Sequence, residues 1–236
     1  MARKSQAFSV DLEDDYEVFN KKNLSRYHAI LFNNSTRLKF PNDRHRKAIV
    51  DFVRGGGGVI GIHAASDSFY EWEEGAAIIG GQFNGHPWTA GGEWAFKLDD
   101  PTHPLNRAFG GRGFWHQDEI YQYDPSNFEG QDNLRILVSL DMSKPKMVEQ
   151  MNLEKYAKFN AKYSAETREV PVSWIREIGK GRLFYANFGH REETYENPAI
   201  MQHIFDGILY ALGFTNVDTL PTADLPPIAA ALAPEQ

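Results

Sequence analysis

The chain has 236 residues, a formal net charge of -7, 42% hydrophobic and 24% charged residues, and no cysteine. That length and composition suit an ordinary soluble globular protein with one large domain and a sizeable core. The acidic balance argues against non-specific binding of nucleic acid or anionic membrane, and the absence of thiols excludes disulfides, thiolate catalysis and cysteine-held zinc or iron–sulfur sites.

No apolar run reaches membrane-spanning length, and the basic start lacks the apolar segment of a signal peptide. A cytoplasmic location is therefore expected, with export left open should a leader have been lost. Ala7–Leu12 reads as a first strand. Ala29–Phe32 is a short apolar run ending at Asn33-Asn34-Ser35, the pattern of a strand buried on both faces. A helix follows, capped by Asn42 or Asp43, striped by Ala48, Ile49, Phe52 and Val53, and stopped at Gly55. Val59–Ile62 is the next buried strand and ends at His63.

Ser66 or Asp67 is expected to cap a second helix that Gly80-Gly81 breaks. Gln82–Trp88 is a loop. In Glu93–Leu98, Trp94, Phe96 and Leu98 alternate with a wetter face, which marks a strand. Asp99–Phe109 is a turn-rich loop. Phe114–Tyr123 runs from an edge into a strand, and Leu134–Leu140 is another strand. Lys144–Val170 has no clean period; a helical excursion, a hairpin and a flap all stay open. Pro171–Ile178 and Arg182–Phe188 form a hairpin across Gly179-Lys180-Gly181. The last helix has Asn197 as cap, Pro198 at its first position, Ile200, Ile204, Ile208 and Leu212 in its stripe, and Gly213 at its end. Residues 1–220 are expected to form one domain, and 221–236 a Pro/Ala-rich tail lying on the surface or reaching a neighbouring subunit.

Chemistry is expected at the carboxyl ends of the strands, where open α/β sheets place ligands. His63 and His190 each follow a strand, so both could open into one cleft. Glu192 or Glu193 could orient His190 or act with it as an acid–base pair. In Asp118-Glu119-Ile120-Tyr121, neighbouring residues on a strand face opposite ways, and the Glu119–Tyr121 face is favoured. His86 and His116 add further imidazoles in loops or at strand ends. His28, His45 and His203 look structural, and His103 in Thr102-His103-Pro104 suits a turn as well as a site. His63, His86, His116, His190 and Glu119 are acceptable ligands for zinc, manganese or iron, although no tight motif supports a metal. The glycine run ahead of His63 lacks the Lys-Ser/Thr of a phosphate loop and precedes its strand. Among the tryptophans, Trp88 and Trp115, each near a candidate histidine, are the favoured platforms for a sugar ring.

Taken in order, GGGGVIGIHAASDSFYEW (Gly55–Trp72), GGQFNGHP (Gly80–Pro87), THPL (Thr102–Leu105), DEIY (Asp118–Tyr121), PVSW (Pro171–Trp174) and GKGRLFYANFGHREETY (Gly179–Tyr195) resemble the ThuA-like, or trehalose utilisation, family over about residues 28–213. The resemblance implies an α/β fold: a flavodoxin-like, class I glutamine amidotransferase-like three-layer sandwich with a mostly parallel central sheet. The family's usual opening strand is not evident before Ala7, so the first strand is expected to be missing. Gly61-Ile62-His63 is similar to the nucleophile turn of those amidotransferases with His in place of Cys, and His190-Arg191-Glu192 to their His-x-Glu pair. Without a thiol, the thioester route through glutamine is closed.

The resemblance thus implies carbohydrate utilisation, of trehalose or a related disaccharide or keto-sugar. His63, His190, Glu192 and Glu119 are the expected catalytic residues, and His86, Trp88, His116, Asp118 and Tyr121 the expected substrate-binding ones. The alternatives are a non-catalytic carbohydrate-binding or accessory subunit and a metal-dependent sugar hydrolase or isomerase. The expected partner is a small-molecule sugar, with neither nucleic acid nor membrane. A divalent metal and a homo-oligomer both stay open.

Overall fold

The computed structural model describes residues 1–149 and 169–236. Seven strands form one sheet: β1 (Ala29–Asn33), β2 (Gly58–Ile62), β3 (Glu93–Leu98), β4 (Phe114–Gln117), β5 (Arg135–Leu140), β6 (Pro171–Ile178) and β7 (Gly181–Ala186). Their spatial order is β1-β2-β7-β6-β5-β3-β4. β1, β2 and β7 are mutually parallel and make the parallel core; β6, β5, β3 and β4 extend it by antiparallel pairings.

Among the described residues, the three longest helices flank the sheet: α1 (Asp43–Arg54), α2 (Glu73–Ile79) and α3 (Pro198–Ala211). The alternation along the strands divides the core. Val59, Leu183, Tyr185 and Ile136 face α1 and α2, whereas Ile60, Ile62, Phe184 and Ala186 face α3. That is the three-layer α/β/α arrangement of a flavodoxin-like sandwich.

Both long helices carry the punctuation their sequences announce. Asn42 Oδ1 accepts the Arg44 N–H and Gly55 closes α1. Asn197 Oδ1 accepts from the Ala199 and Ile200 N–H groups, Pro198 stands at the first position, and Gly213 follows in a left-handed conformation. Such a cap contributes roughly 1 kcal/mol. Gly179 and Lys180 make the β6–β7 turn as expected.

Four expectations change. Ala7–Leu12 is not a strand: it has no strand pairing, and Val10 is half exposed and Leu12 almost fully so. β1 is not buried on both faces, because it is the edge strand and Leu31 is 41% exposed. The second helix begins at Glu73, not after Ser66 or Asp67; His63–Ser66 forms a 3-10 turn, and Asp67 instead accepts from the Thr36 and Tyr70 hydroxyls. Strand pairing stops at Gln117, so Asp118–Tyr123 crosses the sheet ends as a loop with single bridges Trp88–Ile120 and Phe83–Tyr123. Of the open segment Lys144–Val170, Lys146–Glu149 is a short helix, and 150–168 lies outside the described residues.

The chain after Pro221 packs on its own sheet. Ala231 and Leu98 exchange main-chain bonds, the Ala233 N–H donates to Asp141, and Trp115 Nε1 donates to the Pro234 carbonyl. Among the described residues, no helix is long and apolar enough to cross a membrane.

Candidate active site

The carboxyl ends of the three parallel strands converge. β1 delivers Asn34, β2 delivers His63, and β7 runs out through Asn187 to His190. His63 sits at the turn with φ 45°, a left-handed conformation that a non-glycine residue holds only at a cost. The turn is braced from below: the Tyr185 hydroxyl donates to the His63 carbonyl at 2.7 Å. Gly61 allows this approach, since a Cβ there would lie 2.8 Å from the Tyr185 ring. Burial pushes the Tyr185 phenol up to about 12, so it stays a neutral donor.

The His63 ring is 2% exposed, and its Nδ1 lies 2.6 Å from the Asn187 carbonyl. A carbonyl only accepts, so Nδ1 carries the proton and Nε2 faces the cluster. Nε2 is buried without a hydrogen-bond partner and lies 3.7 Å from Glu119 Oε1. His190 Nδ1 approaches the same oxygen at 3.4 Å, and His86 Nδ1 approaches Oε2 at 3.1 Å. Three imidazoles thus surround one carboxylate. Burial would raise the Glu119 carboxyl; His63, His86 and His190 outweigh it and hold the group below the usual carboxylate range. Exposure is graded, from buried His63 through Glu119 and His86 to His190, which is 46% exposed and opens the cluster to solvent. Tyr121 closes one side, its ring centroid 4.3 Å from that of His63.

Glu119 reaches the cluster because Asp118 holds the loop beside it. Fully buried, Asp118 accepts from the Gly189, Arg191 and Glu119 N–H groups and from the Thr194 hydroxyl. Gly189 takes φ 129°, and a Cβ there would meet the Tyr195 hydroxyl at 2.6 Å. The Asn187 side chain accepts the Tyr121 N–H, which fixes the opposite side.

His63, His190, Glu119, His86 and Tyr121 are therefore brought together, and four other expected residues are not. Glu192 is exposed on a 3-10 turn and makes no bond to His190; Glu119 takes the place beside that ring. Glu193 pairs with Arg191. Asp118 is saturated by main-chain and hydroxyl donors, so it positions the loop and has no surface for substrate. Trp88 is fully buried and offers no ring face. His116 Nε2 bonds the Thr194 hydroxyl, one step behind Asp118. Trp115, the other favoured sugar platform, lies under the C-terminal segment and beside Lys146.

The structural histidines are distinct. His203 bonds the Leu105 carbonyl and the Ser173 hydroxyl, and burial pushes it down to about 4. His103 caps the turn at Leu105 and bonds the Asp218 carbonyl. Asn34 and Asn187 carry no role in the sequence reading, yet both frame the cluster. Asn34 Nδ2 donates to the Gly189 carbonyl at 2.8 Å. Their signal was position alone: each stands just past a parallel strand.

This architecture occurs in solved structures. A ThuA-like protein of Bacteroides uniformis superposes with a TM-score of 0.62 at 19% identity, covering 89% of this chain and 80% of its own. A second, from Parabacteroides merdae, gives 0.60 at 20% identity, with coverages of 90% and 82%. At these identities the likeness speaks for the fold. A comparison with curated proteins returns no match. The family model described as trehalose utilisation matches residues 1–211, so the chain belongs to the ThuA family.

Proposed function

We propose that the chain is an enzyme of carbohydrate utilisation that moves a proton on trehalose or a related disaccharide or keto-sugar, with Glu119 and its imidazoles as the reacting centre. Family membership supports the substrate class. The convergence of His63, His86 and His190 on the Glu119 carboxylate supports the chemistry. Paired imidazole and carboxylate groups serve general acid–base catalysis on hydroxyl and carbonyl carbons.

In this reading Glu119 stays ionised and takes a proton from the sugar. His190, at the open side, exchanges the proton with solvent. His63, fixed by the Asn187 carbonyl, lines the inner side of the carboxylate. No covalent glutamine chemistry enters, because the nucleophile turn carries an imidazole and the chain has no thiol.

The test is turnover of trehalose and of oxidised disaccharides by the wild type, His190→Ala and Glu119→Gln. Loss in both variants is expected. Equal turnover in all three would remove the assignment, and sugar binding without turnover in the wild type would mark a recognition subunit instead.

A further inference from the structure

We propose that His63 Nε2, Glu119 and His190 Nδ1 hold a first-row divalent cation of the zinc, manganese or iron(II) type. The inference rests on the reading of this cluster as the reacting centre, and it names what that centre contains.

The first observation is geometric. The three residues each offer one ligand atom, and these atoms lie within 4.8 Å of one another. The two measured separations, His63 Nε2 to Glu119 Oε1 and His190 Nδ1 to Glu119 Oε1, are 3.7 and 3.4 Å. Ligands about 2.1 Å from a tetrahedral ion stand about 3.4 Å apart. The atoms are thus too far apart for good hydrogen bonds and well placed to share an ion.

The second observation is the orphaned nitrogen. Nδ1 of His63 is committed to the Asn187 carbonyl at 2.6 Å, so in the neutral ring Nε2 is a lone pair. It is buried, has no partner, and points at a carboxylate oxygen. A ring nitrogen and a carboxylate oxygen facing each other in a buried setting call for a positive charge between them, a proton or a cation, and the separations favour the cation. An imidazole whose other nitrogen is tied to a backbone carbonyl is also the usual support for a metal-ligating histidine.

The third observation is asymmetry of access. His63 closes the inner side, and exposed His190 leaves the outer side open. Three protein ligands with an open position describe a catalytic rather than a structural metal site. The mixture of imidazole and carboxylate suits zinc, manganese or iron(II) better than calcium or magnesium. His86 Nδ1 stands 3.1 Å from the far oxygen of Glu119 and would support the carboxylate in its ligating orientation. A bound cation would polarise a sugar hydroxyl or carbonyl oxygen at the open position.

The experiment is calorimetric titration of chelator-dialysed protein with Zn²⁺ and, separately, Mn²⁺, alongside elemental analysis of the protein as purified. The wild type should take up about one equivalent. His190→Ala, at an exposed position that should not disturb folding, and Glu119→Gln should lose it. His86→Ala should bind about 10–100-fold more weakly, as loss of an outer support does. His28→Ala, an exposed histidine outside the cluster, should bind as the wild type does. No saturable binding, or binding indifferent to both His190→Ala and Glu119→Gln, overturns the inference. Turnover assays on the same samples separate the two readings. Full sugar turnover in metal-free protein removes the cation and leaves the proton-transfer reading. Stoichiometric binding lost in His190→Ala, with no sugar bound or turned over, keeps the cation and removes the sugar reading.

Discussion

The two halves of the sheet treat their polar residues differently. In the antiparallel half, the buried Arg135 lies against opposite charges, although its Nε and the Asn106 Oδ1 make no hydrogen bond. Arg135 meets Asp100 at 2.6 Å and Asp218 at 3.5 Å, and the Asn106 amide donates to the Asp100 and Leu137 carbonyls. At the end of the parallel half, one carboxylate is shared by three imidazoles at 3.1–3.7 Å, and a buried ring nitrogen has no partner. The first arrangement resembles what a fold needs to tolerate buried charge. The second gathers three titratable rings on one acid at an opening to solvent, which is what a site for proton or ion chemistry needs.

Four experiments break or sharpen that contrast. The largest effect is expected at the shared carboxylate. Glu119→Gln should lower sugar turnover by about 10²–10⁴-fold, the range for losing a general base, while the thermal midpoint changes little. A parallel fall in both would make Glu119 a structural residue.

Next is the antiparallel half. Asp100→Ala leaves Arg135 buried without its closest partner and should cost about 3–5 kcal/mol in denaturant unfolding, with turnover per folded molecule retained. A cost under about 1 kcal/mol would mean that the pair is effectively solvated.

The third concerns a matched histidine. Burial pushes His203 down to about 4, below the roughly 6.5 of an unfolded histidine. Between those values the unfolded chain binds the proton more readily. Its contribution is therefore complete above pH 6.5 and is lost as the pH falls towards 4, up to about 3 kcal/mol. His203→Gln should be less stable at pH 8 yet show a flatter acid slope between pH 6.5 and 4. An unchanged slope would assign the acid loss elsewhere.

The smallest effect belongs to the frame shared by both halves. Asn197→Ala removes the cap of α3 and should cost about 1 kcal/mol in the same denaturant assay, leaving turnover intact.

The elements with strong local chemistry were legible in the sequence. α1 and α3 announce their caps and stops, β2 its burial, and the β6–β7 turn its glycines. What failed depended on neighbours. Whether Ala7–Leu12 pairs, and whether Leu31 is covered, is decided by the sheet's edge and not by the residues themselves. In the site, His63, His190 and Glu119 were legible because each lies at a strand end or on a loop in a distinctive setting. Glu192 and Asp118 misled for a common reason: an acid near a histidine in sequence need not face it. The 3-10 turn carries Glu192 outward, and four donors claim Asp118. Asn187 escaped notice because its main-chain carbonyl, which no side-chain reading weighs, fixes the His63 ring.

The left-handed backbone at His63 bears on how this protein would respond to selection. A glycine would adopt φ 45° freely, and relief of a strained residue is on the order of 1 kcal/mol. That relief is outweighed by what the buried ring does: His63→Gly would empty a packed position beside Tyr121 and take the donor from the Asn187 carbonyl, at a cost of about 2–5 kcal/mol. Heat resistance and chemistry therefore favour the same residue at that one position, and a screen for a harder scaffold would keep the imidazole despite its strained backbone.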